Sequence, residues 1–223
     1  MSQPETAYPR PFAAVDLAIF ALSPEGPRVL LARRDAEPFA GAWALPGGFV
    51  RVDEDSDIDA AARRVLRGKT SLETPYLEQV QTFGNVTRDP RGWSISVAYF
   101  ALIPWNETAG ADWRLIAGEG VAEPLAFDHA EILRAAISRL RAKVAYSSLP
   151  AHLLPEAFTL GELQSVYERI LGRKLDKSAF RKRVAEVDFV EAIEGAWRRG
   201  SNRPAQLYRL REGGSTVLFD RTI

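Results

Sequence analysis

Six cationic side chains crowd into the eleven residues from Arg173 to Arg183: Arg173, Lys174, Lys177, Arg181, Lys182 and Arg183, with Asp176 the only acid among them. So dense a set of guanidinium and ammonium groups is equipment for holding phosphate. A second basic set, Arg198, Arg199 and Arg203, follows in the stretch from Gly195 to Pro204. Far upstream the opposite charge collects. Asp53, Glu54, Asp55, Asp57 and Asp59 fall shortly after a glycine turn, Gly47-Gly48. Carboxylates so placed serve one of two ends. They hold a hard divalent cation, which prefers oxygen ligands, or they cap and electrostatically favour a helix N-terminus. Capping is the simpler reading.

The elements around these residues are legible in the apolar pattern. Phe12 to Leu22 and Arg28 to Ala32 read as strands joined by the turn Pro24-Glu25-Gly26-Pro27. Trp43 to Val50 is a short extended segment broken at Pro46-Gly47-Gly48. Ser56 to Arg67 predicts a helix, because Ile58, Ala61, Ala62, Val65 and Leu66 share one face. Ser56 or Asp57 supplies the cap and Gly68 the stop. Tyr76 to Phe83 and Ser94 to Ile103 are further strands, and a short one is expected near Trp113 to Ile116. His129 to Tyr146 is the longest predicted helix.

Thr159-Leu160-Gly161-Glu162 has the spacing of a capping box. It opens a helix that Gly172 ends. Asp176 caps a second helix, Lys177 to Val187, whose Ala179, Phe180, Val184 and Val187 are expected to face inward. Two short helices about a tight turn make a helix-turn-helix. The run Phe189 to Ile193, the basic stretch Gly195 to Pro204 and the strand Ala205 to Leu210 then make a wing. On such a frame the N-terminal residues of the second helix reach base edges, which singles out Lys177, Ser178 and Arg181. Lys174, Lys182, Arg183, Arg198, Arg199 and Arg203 fall where phosphates are touched. The alternative is a solvated or protein-binding basic face.

The 223 residues are 46 % hydrophobic and 26 % charged, enough for a buried core and for two modest domains. Net charge is zero, but residues 1–155 hold 16 basic and 19 acidic side chains, whereas residues 156–223 hold 13 and 10. That asymmetry fits nucleic acid meeting only the second part. There is no cysteine, so no disulfide or thiolate metal site, in keeping with a cytoplasmic protein. Met1 to Pro11 has no apolar core of a signal peptide, and the apolar run from Phe12 to Leu22, interrupted by Asp16, is too short to span a membrane.

Several segments carry a resemblance. Gly48, five residues and then Glu54 match the start of a Nudix box, with Arg63 one residue late for the box arginine. Where the box places its later glutamates stand Arg64, Arg67 and Gly68. Ala44-Leu45-Pro46-Gly47-Gly48-Phe49-Val50, Tyr76-Leu77-Glu78-Gln79, Thr82-Phe83-Gly84 and Arg88-Asp89-Pro90-Arg91 resemble the Nudix-related regulators of NAD metabolism of the NrtR type. Phe158-Thr159-Leu160, Glu162-Leu163-Gln164, Tyr167-Glu168, Ile170-Leu171-Gly172, Phe180-Arg181-Lys182 and Arg203-Pro204-Ala205 continue the similarity, which covers about residues 12–211.

The resemblance implies an α+β chain. An N-terminal arm (1–11) precedes a Nudix-type α/β/α sandwich with a mixed sheet (12–150) and a winged helix-turn-helix domain (151–223). It implies a repressor that senses ADP-ribose or a related nucleotide, requires no cofactor, and acts as a homodimer on a palindromic DNA operator. Trp43 or Phe83 would stack on an adenine. Arg34, Arg88 or Arg91 would pair with a diphosphate, with Asp89 beside them as a ligand contact or as a local ion-pair partner of Arg88. Cations at two glutamate positions repel Mg²⁺, so the box reads as an anion receptor and no catalytic residues are assigned. The competing reading is an Mg²⁺-dependent ADP-ribose pyrophosphatase.

Overall fold

The computed structural model describes residues 10–70, 76–105, 112–199, 204–211, 216–220 and 222. Most of the expected N-terminal arm (1–9) and the wing tip (200–203, with Arg203) lie outside the described residues.

The longest strand, β1 (Phe12–Ser23), is the axis of the first domain. From Val15 onward its side chains are buried on both faces, which its near-continuous apolar sequence permits. Successive side chains alternate. Val15, Leu17, Ile19 and Ala21 enter one core cluster, and Ala18, Phe20 and Leu22 the other. Against β1 lie β2 (Gly26–Leu30), antiparallel, and β7 (Ser94–Leu102), parallel. β6 (Tyr76–Asn85) and β8 (Trp113–Leu115) extend the edges, giving the order β6-β7-β1-β2-β8. Between β2 and β6, β3 (Ala32–Arg33) pairs with β4 (Trp43–Ala44), and β5 (Gly47–Phe49) with the start of β1.

Helix α1 (Ile58–Thr70) covers one face through Ala61, Ala62, Val65 and Leu66, and α2 (His129–Val144) contributes Ile132, Leu133, Ala136, Ile137 and Leu140 to the other cluster. This is the expected α/β/α sandwich with a mixed sheet. Helix α1 starts later and ends later than its sequence indicated. The cap is Asp57, whose Oδ1 accepts from the Ala60 amide at 2.7 Å. Gly68 does not stop it: the helix runs on, and Thr70 Oγ1 donates to the Leu66 carbonyl at 3.0 Å.

A 3-10 turn (Leu149–Leu153) leads into the second domain, β9 (Phe158–Thr159), α3 (Leu160–Leu171), α4 (Lys177–Val187), β10 (Val190–Arg198) and β11 (Ala205–Leu210). The capping box of Thr159 and Glu162 forms in full, Gly172 closes α3 in the left-handed region, and Asp176 Oδ1 accepts from the Ala179 amide at 2.8 Å. The strands order as β10-β11-β9, the sheet of a winged helix. Of the four α4 residues expected inward, Phe180 and Val184 are buried, Val187 is half-buried and Ala179 is exposed. Ala179 lies in the capped first turn, outside the Phe180–Val184 stripe that meets the core.

The wing stretch also departs from expectation. Strand β10 persists through Ala196, Trp197 and Arg198, because a bulge between Ala192 and Trp197 absorbs the irregularity. Gly195 takes φ 70° there, a conformation that disfavours a Cβ. Gln206 Nε2 donates to the carbonyls of Ile193 at 2.7 Å and Ala196 at 3.0 Å, fixing the bulge.

The two domains share one apolar core. The cluster on the α2 face continues through Leu149, Ala151 and Leu153 to Phe158, Leu163, Val166, Tyr167, Phe180 and Val184. Among the described residues, no helix is long and apolar enough to cross a membrane.

Candidate effector pocket and DNA-binding surface

The pocket forms where β5 crosses the start of β1 and the N-terminal end of α2 arrives from behind. It encloses about 190 Å³. Its floor is a buried polar network centred on Asp16, the one acid within the apolar run of β1. Asp16 Oδ2 accepts from Ser96 Oγ at 2.6 Å and from Arg88 Nη2 at 3.4 Å. His129 Nδ1 accepts from the Leu45 amide at 2.9 Å. In neutral His129 the proton is therefore on Nε2, which stands 3.4 Å from Asp16 Oδ1.

Gly47 is required by this packing. A Cβ there would collide with the Asp16 carboxylate and come within 2.9 Å of the Val15 carbonyl.

Arg88 is almost fully committed to the protein. Its side chain is 6 % exposed and forks onto Asp128, Nε to Oδ2 at 2.8 Å and Nη2 to Oδ1 at 2.9 Å, with Nη1 donating to Ser94 Oγ at 3.3 Å. Burial, the largest single influence, opposes its charge, but the Asp128 and Asp16 carboxylates together outweigh it and raise its pKa. The expected local pair of Arg88 with Asp89 does not form. Asp89 instead holds Arg91, which donates Nε to Oδ1 at 3.0 Å and Nη2 to Oδ2 at 2.7 Å, and these bonds keep the Asp89 carboxyl below its ordinary range.

The mouth is lined by Arg34, Phe49, Arg91 and Phe127. Arg34 sits 4.7 Å over the Phe127 ring, with Nε donating to the Pro38 carbonyl at 2.7 Å. Arg91 lies 5.0 Å over Phe49. Phe127 and Phe39 meet edge to face at 4.8 Å, and both take positive φ, 54° and 66°. Bulky residues reach that region only when their surroundings hold them there, and such strain concentrates at ligand sites.

Of the residues that the sequence singled out for the effector, Arg34, Arg88, Asp89 and Arg91 meet at this pocket. Trp43 and Phe83 do not line it. Trp43 packs on the core beneath the guanidiniums of Arg33 at 4.4 Å and Arg114 at 4.1 Å. Phe83 packs against the same cluster from β6. The aromatics at the mouth are Phe49 and Phe127, which sequence reasoning missed, as it missed His129 and the role of Asp16.

The charge-reversed positions of the box, Arg64 and Arg67, do not line the pocket. Arg64 forks onto Asp55, with Nε–Oδ1 and Nη2–Oδ2 both 2.7 Å, and donates to the Phe49 carbonyl at 3.0 Å. Its guanidinium thus stitches α1 to the loop after β5. The Asp55 carboxyl falls to about 2, chiefly through the Arg64 bonds. Arg67 and Gly68 face solvent. The anion-receptor reading of the box is therefore corrected at Arg64, whose charge is met by Asp55, while Arg67 stands at the surface away from the pocket. The box alignment that the resemblance implies would set the Arg64 guanidinium where a metal-binding glutamate belongs. Among the described residues no cluster of three acids or histidines is placed to hold an ion. The acidic run caps and ties: Asp57 caps α1, Asp55 holds Arg64 and Asp59 accepts from Tyr99.

On the second domain, Lys177, Ser178, Arg181 and Lys182 are exposed along α4. Lys182 lies 4.0 Å and Arg183 3.2 Å from Glu186. Lys174 bonds Glu168 at 2.7 Å; Glu168 also accepts from the Leu175 amide at 3.0 Å, so this acid staples the turn between the helices. Arg198 pairs with Glu162 and donates to the Ala157 carbonyl at 3.1 Å, bracing the wing against α3, whereas Arg199 is exposed.

Fold and sites define a class: a Nudix-type ligand-binding domain joined to a winged helix through a shared core. The model of the NUDIX domain matches residues 13–143, and that of the NrtR DNA-binding winged helix domain matches residues 150–210. The chain is 44 % identical over 209 residues to the ADPR responsive transcriptional repressor NtrR of Acinetobacter baylyi, covering 91 % of this chain and 83 % of that one. The crystal structure of Shewanella oneidensis NrtR complexed with a 27mer DNA matches with a TM-score of 0.85 at 36 % identity, covering 95 % and 99 % of the two chains. The NUDIX domain of that protein complexed with ADP ribose matches with a TM-score of 0.52 at 33 % identity, covering 62 % of this chain and 94 % of the other. The chain belongs to the NrtR family of ligand-responsive, DNA-binding transcriptional regulators.

Proposed function

We propose that this chain represses transcription by binding an operator through α4 and the wing, and that ADP-ribose, or a close nucleotide relative, tunes that binding from the Asp16–His129 pocket. The observation that carries the reading is the course of α2. Its first residue, His129, lines the pocket, and just beyond its last turn the Ser147 carbonyl accepts from Tyr167 Oη of α3 at 2.6 Å. One rigid helix, roughly 24 Å long at 1.5 Å per residue, thus joins the ligand site to the helix that supports α4. A ligand shifts DNA affinity only if it binds the free and DNA-bound conformations unequally, and α2 offers the route.

At the pocket, Arg34 is the cation for the diphosphate and Phe49 and Phe127 are the aromatic surfaces for the base. Arg88 and Asp89 act behind them, the first through Asp16 and Asp128 and the second through Arg91. At the DNA, Lys177, Ser178 and Arg181 face base edges, and Lys182 and Arg199 phosphates. Lys174, Arg183 and Arg198 hold the helix-turn-helix and wing in shape. The protein acts as a homodimer, so that two recognition helices meet a palindromic site one DNA turn apart. It works in the cytoplasm and needs no cofactor, and the pocket receives its nucleotide without hydrolysing it. The test is a gel shift on the chain's own upstream promoter DNA against a nucleotide panel that includes ADP-ribose and NAD, with the nucleotides recovered and checked for cleavage. Retardation that responds to one nucleotide is the expected result. A shift indifferent to all of them, or none at low salt, overturns the reading.

A further inference from the structure

The wing carries a large aromatic that neither core uses. Trp197 is 54 % exposed and joins neither apolar cluster. Its orientation is set by the bulge. In the β10–β11 ladder, Ala192 pairs with Tyr208 and Trp197 with Gln206. Cross-strand partners share a face, as do residues two apart on one strand. Trp197 therefore lies on the face of Tyr208, which packs against the core that contains Phe180 and Val184 of α4. Ala192 and Trp197 are an odd number of residues apart and would occupy opposite faces of a regular strand. The bulge reverses that phase, held by Gly195 at φ 70° and by the Gln206 amide.

The neighbour of Trp197 makes the contrast plain. Arg198, on the other face, is tied down by Glu162 and the Ala157 carbonyl. Arg199, next along, is exposed. The wing thus presents an indole on the face of Tyr208, next to a cation and outside both apolar clusters of the described residues.

We propose that Trp197 is a DNA contact of the wing. Its ring lies against the sugar–phosphate edge of the groove, its Nε1–H donates to a phosphate oxygen, and Arg199 supplies the charge beside it. This rests on the DNA-binding reading above and adds an uncharged contact to it. An uncharged contact has a signature: it adds affinity without releasing counterions, so it leaves the salt dependence unchanged.

The experiment measures binding of the full chain to a labelled duplex of its upstream promoter by anisotropy across a salt series. Trp197→Ala is expected to weaken binding roughly tenfold, about 1.4 kcal/mol, with the slope of log K against log salt unchanged. Arg199→Ala is expected to weaken it and lower that slope by about one. Trp197→Phe, which keeps a ring and loses the N–H, is expected to fall between wild type and Trp197→Ala. Equal melting temperatures and equal ADP-ribose affinity show that the variants are folded. Trp197→Ala binding as tightly as wild type, while Arg199→Ala weakens, overturns the contact and leaves the repressor reading standing. Wild type that binds no DNA at low salt overturns both.

Discussion

Tyr167 Oη donates a hydrogen bond of 2.6 Å to the carbonyl of Ser147, and the tyrosine is wholly buried between the two domains. The bond joins α3 to the segment that leaves α2, and burial pushes the phenol pKa well up, so it remains a donor at every physiological pH. Tyr167→Phe keeps the ring and strands the carbonyl. The expected cost is about 1–3 kcal/mol of stability, the usual penalty for an unsatisfied buried acceptor. A larger change is expected in coupling. The variant should bind operator and ADP-ribose separately, yet lose much of the effect of one on the other, as read by operator affinity with and without nucleotide.

Arg34 and Arg88 both line the pocket and should fail in different ways. Arg88→Ala leaves buried Asp16 and half-buried Asp128 without their cation, a loss approaching the ~3–5 kcal/mol typical of a broken buried pair. Thermal or denaturant unfolding measures it. Arg34→Ala removes a half-buried guanidinium at the mouth. It should weaken ADP-ribose about tenfold or more, the worth of roughly 1.5–3 kcal/mol for a charged hydrogen bond, with much less effect on melting. Calorimetric titration separates the two outcomes.

The Arg64–Asp55 pair makes a pH prediction. The folded-state pKa of Asp55 is lowered from 3.8 to about 2. A lowered carboxylate pKa contributes stability that is fully present above the unfolded value and lost as pH falls through the folded one. Arg64→Met should therefore melt lower than wild type at pH 7, and the gap should close between about pH 4 and pH 2. A gap that persists unchanged at pH 2 would assign the arginine's effect to its packing.

On α4, Lys177→Ala and Arg181→Ala should each weaken operator binding while ADP-ribose titrates as in wild type. Loss of both activities together would point to misfolding. Arg181, if bonded to a base edge, should also relax sequence preference by about 1–3 kcal/mol at one position, which a panel of operator substitutions reads directly.

Much of this was legible in the residues. Thr159 with Glu162, and Asp176 as a cap, announced the two helices of the helix-turn-helix, because capping is local chemistry. The apolar run from Phe12 was readable as a strand for the same reason. The pocket was less so. Asp16 stood out as one acid in an apolar run, but its partners Arg88, Ser96 and His129 come from three distant segments that only the sheet brings together. Trp43 and Phe83 are the right residue types for stacking, yet strand register packs both, half-buried, against the core, Trp43 under two guanidiniums, while Phe49 and Phe127 reach the mouth. Arg64 was visible as a charge reversal. Its pairing with Asp55 depends on the path of the loop after β5, and that pairing turns an apparent anion receptor into an internal tie.

The central claim is that one nucleotide site governs DNA affinity. It is tested most directly by measuring operator Kd for the full chain with and without saturating ADP-ribose, in Mg²⁺, while assaying the nucleotide. The expected result is a change in Kd of about 5–150-fold, the range of ordinary allosteric coupling, with ADP-ribose recovered intact and its own affinity altered by the same factor when operator is present. An unchanged Kd, or conversion of ADP-ribose to AMP and ribose 5-phosphate, would contradict it.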